Sequence, residues 1–286
     1  MIYTPAIPLG GYLGWKVFDK TAARQFATFQ NTPQVKRNIE YFREHIAEAA
    51  TPEKLVKDRR LLEVALGAFG LEDEINKRAL IRKVLEEGTD FSDAFANRMA
   101  DPRWREFSKE FGYGNFSGGI NVLSKTFQDK IADRYLERAF EVSVGEVDTD
   151  MRLAMNFRRE IGAIANSSTV EDAGWFKIMG SPPLRSVMVA ALGLPDTIGQ
   201  ADIDKQKELF ERKADQIFGG KSPAVFKDPA KVEDALRRFF LQSEIKNGPS
   251  ASTPGMAALT VLGGGEAFGG SALGGSALVN LFNSNF

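Results

Sequence analysis

The chain contains no cysteine. That alone excludes disulfides, thiolate metal sites and cysteine nucleophiles. It contains one histidine, His45. Zinc and iron centres draw on several His or Cys side chains, so neither a metal nor any other cofactor is expected. A Ser-His-Asp triad would have to use that one imidazole, and no Gly-x-Ser-x-Gly elbow presents a serine to it. No run of 18 apolar residues occurs, so membrane insertion is not expected. The opening Met1-Ile2-Tyr3-Thr4-Pro5-Ala6-Ile7-Pro8 lacks the basic and apolar regions of a cleaved secretory signal. An excess of either charge is missing too. Lys and Arg total 37 against 38 for Asp and Glu, so there is no basic surplus for a phosphate backbone and nucleic acid is not an expected partner. Long alternating β-branched runs are absent, and no Asn-Gly turn separates two apolar strands.

The 286 residues are 43% hydrophobic and 26% charged, enough for a sizeable core in one large domain or two ordinary ones. Helix starts are marked by one repeated device. A Ser, Thr or Asp precedes Pro at Thr32-Pro33, Thr51-Pro52, Asp101-Pro102, Ser181-Pro182, Ser222-Pro223 and Asp228-Pro229. The first residue accepts bonds from orphan amides of the first turn, and Pro suits N1, where no donor is needed. The Ser222 pair lies in a Gly-flanked stretch and reads equally as a turn. Helical stripes follow: Leu55, Leu62, Leu66 and Phe69; Trp104, Phe107 and Phe111; Leu123, Phe127, Ile131, Tyr135 and Ala139; Phe210, Ala214 and Ile217; Val232, Leu236 and Phe239. The pattern predicts an all-α protein of roughly a dozen helices.

Certain landmarks recur in order. Phe42-Arg43-Glu44-His45-Ile46 recurs as Phe157-Arg158-Arg159-Glu160-Ile161, Gly70-Leu71 as Gly193-Leu194, and Asp101-Pro102 as Asp228-Pro229. The expectation is two similar multi-helix units from an internal duplication, with a flexible Gly/Ser-rich C-terminal tail; chance matching of helix-rich sequence is the alternative. The divisions that follow are a lead-in and first helix (1–31), a first repeat (32–112), a joint and long connecting helix (113–150), a second repeat (151–246) and the tail (247–286). Gly112-Tyr113-Gly114-Asn115-Phe116-Ser117-Gly118-Gly119 reads as a flexible joint. In the tail, Gly269-Gly270-Ser271-Ala272-Leu273 repeats as Gly274-Gly275-Ser276-Ala277-Leu278, a tether composition. Its apolar end, with Leu278, Leu281, Phe282 and Phe286, is either a frayed terminus or a segment that docks on a partner.

Apparent chemical motifs fail on inspection. Gly219-Gly220-Lys221-Ser222 resembles the end of a P-loop, but Asp215 stands where the leading Gly belongs and no strand precedes it. Gly263-Gly264-Gly265-Glu266-Ala267-Phe268 breaks the dinucleotide fingerprint at its last position. Asp148-Thr149-Asp150 opens like a calcium loop, but Arg152 then occupies a ligand position. Glu72-Asp73-Glu74 suits the positive end of a helix. The mixed clusters around Arg59 and Arg158 read as ion-paired helix faces. Arg43 and Arg158 hold one place in the proposed repeat, and each suits clamping a carboxylate, of its own unit or of a partner. Phenylalanine, at 22 residues, is abundant enough to supply an exposed aromatic groove besides the core.

Three stretches carry a family likeness: Thr32-Pro33-Gln34-Val35-Lys36-Arg37-Asn38-Ile39-Glu40-Tyr41-Phe42; Asp58-Arg59-Arg60-Leu61-Leu62-Glu63-Val64-Ala65-Leu66-Gly67-Ala68-Phe69-Gly70-Leu71; and Phe95-Ala96-Asn97-Arg98-Met99-Ala100-Asp101-Pro102-Arg103-Trp104 with Phe107. They resemble an uncharacterised alphaproteobacterial family, domain of unknown function twelve-seventeen, whose members are commonly encoded among flagellar genes. The likeness is clearest over residues 30–112 and thins toward the second copy. It implies a flagellar part or assembly factor and brings no catalytic residue. One departure is the Gly-Ser-Ala-Leu ending, where rod and hook proteins end in an amphipathic helix. The function expected is therefore a non-enzymatic helical protein-interaction protein with flagellar protein partners and no small-molecule substrate. It would be cytoplasmic or flagellar, exported without a cleaved signal. The alternatives are an export chaperone for a flagellar subunit and a carboxylate-dependent hydrolase. The partner-binding candidates are Arg43, Arg158, Leu278, Leu281, Phe282 and Phe286.

Overall fold

Apolar side chains three and four positions apart give a helix one stripe that must be covered, and without strands only other helices can cover it. The computed structural model describes residues 3–247. Among them every regular element is helical: α1 (Gly11–Gln30), α2 (Pro33–His45), α3 (Pro52–Lys57), α4 (Arg59–Gly67), α5 (Arg78–Glu87), α6 (Phe95–Arg98), α7 (Pro102–Phe111), α8 (Lys125–Gly145), α9 (Thr149–Ala165), α10 (Val170–Gly180), α11 (Pro182–Ala191), α12 (Ile203–Phe218) and α13 (Pro229–Asn247). Short 3₁₀ turns lie at Ile46–Glu48, Glu72–Glu74, Ile120–Leu123, Asp196–Gln200 and Pro223–Lys227. Among the described residues no helix is long and apolar enough to cross a membrane.

All six Pro-marked sites open a helix, the Ser222 pair a 3₁₀ one. Thr51, Asp101, Ser222 and Asp228 accept a first-turn amide through their side chains. Thr32 does not, because its hydroxyl donates instead to Phe29 O at 2.8 Å.

One continuous core runs from Trp15 on α1 to Phe240 on α13. Its axis is α8, which packs on α1, α2 and α4 and then folds back against α9. Phe140 of α8 is ringed by Tyr3, Phe18, Phe26 and Phe29 at centroid distances of 5.4 to 6.3 Å. Such aromatic contacts add to the area they bury. The helix expected to be a connector is thus a central packing element. Of the stripe assigned to it, Leu123 falls in the 3₁₀ turn before α8 and is exposed, so burial begins at Phe127.

The two halves follow the same order for much of their length. Three helices, α2 to α4 and α9 to α11, lead to a left-handed glycine, Gly70 (φ +70) or Gly193 (φ +63). Each closes its helix with the same bond, Leu71 N to Leu66 O at 3.0 Å and Leu194 N to Val189 O at 2.9 Å, with the leucine folded back on the last turn. The third sequence landmark matches differently. Asp101-Pro102 opens α7, which packs on α5 and α6, whereas Asp228-Pro229 opens α13, which packs on α11 and α9. The helix in α13's place in the first half is α8, which packs on α4 and α2. The registers agree: buried Ile131-Ala132 and Tyr135-Leu136 of α8 stand at the same distances from N-cap Ser124 as buried Ala235-Leu236 and Phe239-Phe240 do from Asp228. Asp-Pro announces a helix start but does not say which helix starts.

The Gly112–Gly119 stretch is a fastened loop, in place of the expected flexible joint. The Tyr113 hydroxyl is buried and donates to Ala49 O. Asn115 Oδ1 accepts from Thr89 N at 2.6 Å, and Phe116 N donates to Asp90 at 2.7 Å.

The paired glycines give a test. A Cβ at Gly193 would meet open space, whereas one at Gly70 would come within 2.7 Å of the Arg138 guanidinium. Gly193→Ala should cost about 1–2 kcal/mol from the left-handed backbone alone, and Gly70→Ala more, because Arg138 must also move. Urea midpoints measure both, and equal losses would contradict the account.

Candidate functional site: an arginine–carboxylate seam beside an apolar cleft

Three consecutive residues of α9, Arg158, Arg159 and Glu160, are charged and half-buried. Arg158 reaches outward along α1 and α13: Nη1 donates to Asp19 at 2.5 Å, Nη2 donates to Glu233 at 2.6 Å, and the guanidinium lies 4.7 Å above the Trp15 ring. Arg159 reaches the other way. It donates to both carboxylate oxygens of Glu141 on α8, at 2.7 and 3.0 Å, and to Glu160 at 2.9 Å. Arg138 of α8 donates to Glu160 at 3.2 Å. Glu141 is only 6% exposed, and a planar fork satisfying both its oxygens is what such burial requires.

Burial, then repulsion from Arg159, holds the Arg138 guanidinium below its ordinary value. Burial also disfavours the charge of Arg158 and Arg159, but their carboxylate partners outweigh it and raise both. All three remain cations at neutral pH. Arg138 and Arg159 balance Glu141 and Glu160, so these four groups carry no net charge.

Beside this seam, α1, α8 and α9 enclose a cleft of about 280 Å³. Trp15, Phe18, Phe26, Phe140 and Met155 form its walls, with Asp19, Glu137, Arg158 and Arg159 at the rim. At another place the fastened loops carry a second apolar feature. Phe116 is 86% exposed, Ile120 64%, Phe91 59% and Leu123 58%. The Phe91 and Phe116 rings stand 5.8 Å apart. Ile120 and Leu123 share one side of a 3₁₀ turn, where residues three apart eclipse. Asn97 ties the Phe91 loop by donating to Thr89 O and Phe91 O at 2.9 and 2.7 Å.

Of the candidates read from sequence, Arg43 and Arg158 each clamp a carboxylate of this same chain. Arg43 pairs with Asp129 on α8 at 3.1 Å, in solvent. Asp129 and Glu233 occupy the fifth positions of α8 and α13, so the two arginines make matching contacts. Leu278, Leu281, Phe282 and Phe286 lie outside the described residues. His45 sits against the Tyr41 ring and 3.7 Å from Glu48. Glu72 and Glu74 of the acidic run pair with Arg152 and Lys77. The exposed Phe91–Phe116 pair was not singled out by sequence. Its only signal was an aromatic residue inside a Gly-, Asn- and Ser-rich stretch.

A family model described as a protein of unknown function (DUF1217) matches residues 68–232, more than half of the chain. The chain belongs to the DUF1217 family. The match begins at residue 68, so it leaves out the Thr32–Phe42 stretch of the likeness, and it runs on through the second half. A DUF1217 chain of this fold also resembles a protein of Agrobacterium tumefaciens solved by X-ray crystallography, at 26% identity and a TM-score of 0.68, over 86% of this chain and 100% of that one. No curated protein matches.

Glu141→Ala strands Arg159 and Arg138 in the seam with Glu160 alone, and should cost about 3 kcal/mol, as breaking a buried pair does. Arg43→Ala, removing a solvent-exposed pair, should cost under about 1 kcal/mol. Chemical denaturation of both variants checks the contrast. A Glu141→Ala loss as small as that of Arg43→Ala would mean the seam is not structural.

Proposed function

We propose that this protein is a non-enzymatic helical interaction protein of the bacterial flagellum, a part of it or an assembly factor, built from two diverged copies of one helical unit. The copies correspond as α2–α8 and α9–α13, with α5 to α7 standing where the second copy has α12. The matching glycine closures, the matching buried registers of α8 and α13, and the paired contacts of Arg43 and Arg158 support the duplication.

The interaction reading is carried by one observation: four large apolar side chains held out in solvent by loops that are themselves hydrogen-bonded in place. Rigid, exposed aromatics lose little freedom on binding and make strong anchors. The charged centre favours the same reading over hydrolysis, because its carboxylates are held by arginines. The flagellar part of the proposal rests on the family resemblance and on the genes among which such members are found.

Replacing Phe91 and Phe116 together by Ser should leave the unfolding midpoint nearly unchanged, as surface substitutions do. Swimming on soft agar and recovery of the chain in purified flagellar fractions should both be lost. Wild-type behaviour of the variant would remove the anchor. A chain found only in the cytoplasm, whose deletion impairs export of one subunit, would make it a chaperone.

A further inference from the structure

The cleft between α1, α8 and α9 has an incomplete roof. Ala22, Phe26 and Met155 are half-buried, over an apolar floor of Trp15, Phe18 and Phe140. The charges at its rim constrain what fits. Arg158 already holds Asp19 and Glu233, and Arg159 already holds Glu141 and Glu160. An anionic ligand would have to displace carboxylates that are in place and would meet the Glu137 carboxylate, so the rim disfavours an anion while the walls suit apolar side chains.

An apolar segment without acidic side chains is present in the sequence. Leu278-Val279-Asn280-Leu281-Phe282-Asn283-Ser284-Asn285-Phe286 has no charged side chain and no glycine, and five of its residues are apolar. It follows Asn247, the end of α13, through residues 248–277, whose only charged residue is Glu266. α13 ends beside the start of α1, with Glu244 accepting from Tyr12 N at 3.1 Å. From Tyr12 to Ala22, at the cleft, is about 15 Å along the helix. A Gly-rich spacer of that length has a root-mean-square span of roughly 30 Å, so it reaches the cleft without being stretched. Tethering at that range gives an effective concentration on the order of millimolar, at which one or two apolar anchors suffice.

We propose that Leu278–Phe286 folds back onto its own chain and inserts Leu281 and Phe282 into the cleft between α1, α8 and α9. This rests on the cleft and on the composition of residues 248–286, and stands whether or not the flagellar reading does. Occupancy covers Phe26 and Met155 and leaves the ion pairs of the rim intact.

The absence of native cysteine makes a clean test in the full chain. A nitroxide is attached at Asn280→Cys, and methionine methyl signals are recorded by NMR. Met155 should lose most of its intensity while Met188, buried on α11, is spared. Leu281→Ser with Phe282→Ser should restore Met155, with an unchanged urea midpoint showing that the variant is folded. The proposal is overturned if Met155 keeps its intensity, if Met155 and Met188 fade equally, or if the serine variant behaves as the parent. It is also overturned if spin-labelled chains quench Met155 of separately labelled chains as strongly as within one chain, which would make the occupant a second copy.

Discussion

Glu141 sits almost out of water on α8, and the rest of the arrangement follows from what that demands. A bare carboxylate there would be intolerable, so Arg159 must lie opposite it, on α9, with both donors aligned. That requirement sets the rotation of α9 against α8. It also turns Arg158 to the other side, where it gathers Asp19 of α1 and Glu233 of α13. Four helices thus take their relative positions from two adjacent residues. Hydrophobic burial supplies the cohesion, and it tolerates sliding and rotation that bidentate contacts do not.

Local features were legible in the sequence because their physics is local. Six Pro-marked starts needed only the chemistry of a helix's first turn, and each opens a helix. The Gly-Leu closures at Gly70 and Gly193 needed only the chemistry of the last turn. What was misread depends on partners far along the chain. Leu123 continued the spacing of Phe127 and Ile131, but the turn before α8 places it in water. Tyr113 looked like a residue of a loose, Gly-rich joint until Ala49 supplied an acceptor for its hydroxyl. The match of Asp101-Pro102 to Asp228-Pro229 failed for the same reason: two identical helix starts can open helices that pack on different neighbours.

The candidate site was half legible. Arg43 and Arg158 stood out through their repeated position, and each makes an ion pair, but sequence left open whose carboxylates they hold. The cleft was not legible at all, since α1 stands more than ninety residues before the α8 and α9 helices that complete its walls. Nor was the exposure of Phe91 and Phe116, because composition shows an abundance of phenylalanine but not which rings the core leaves out.

The turn between α8 and α9 is only three residues long, from Gly145 to Thr149, and the two helices lie packed against each other. So brief a reversal makes the link between halves a single articulation. Were it to straighten into one rod, each chain would hand its entire second half to a neighbour, and the seam contacts that cross it, Arg159 to Glu141, Arg138 to Glu160 and Arg158 to Asp19, would re-form between molecules. The same hinge therefore defines an exchange by which two chains could interlock, giving up little beyond the Asp148 cap on Met151 N.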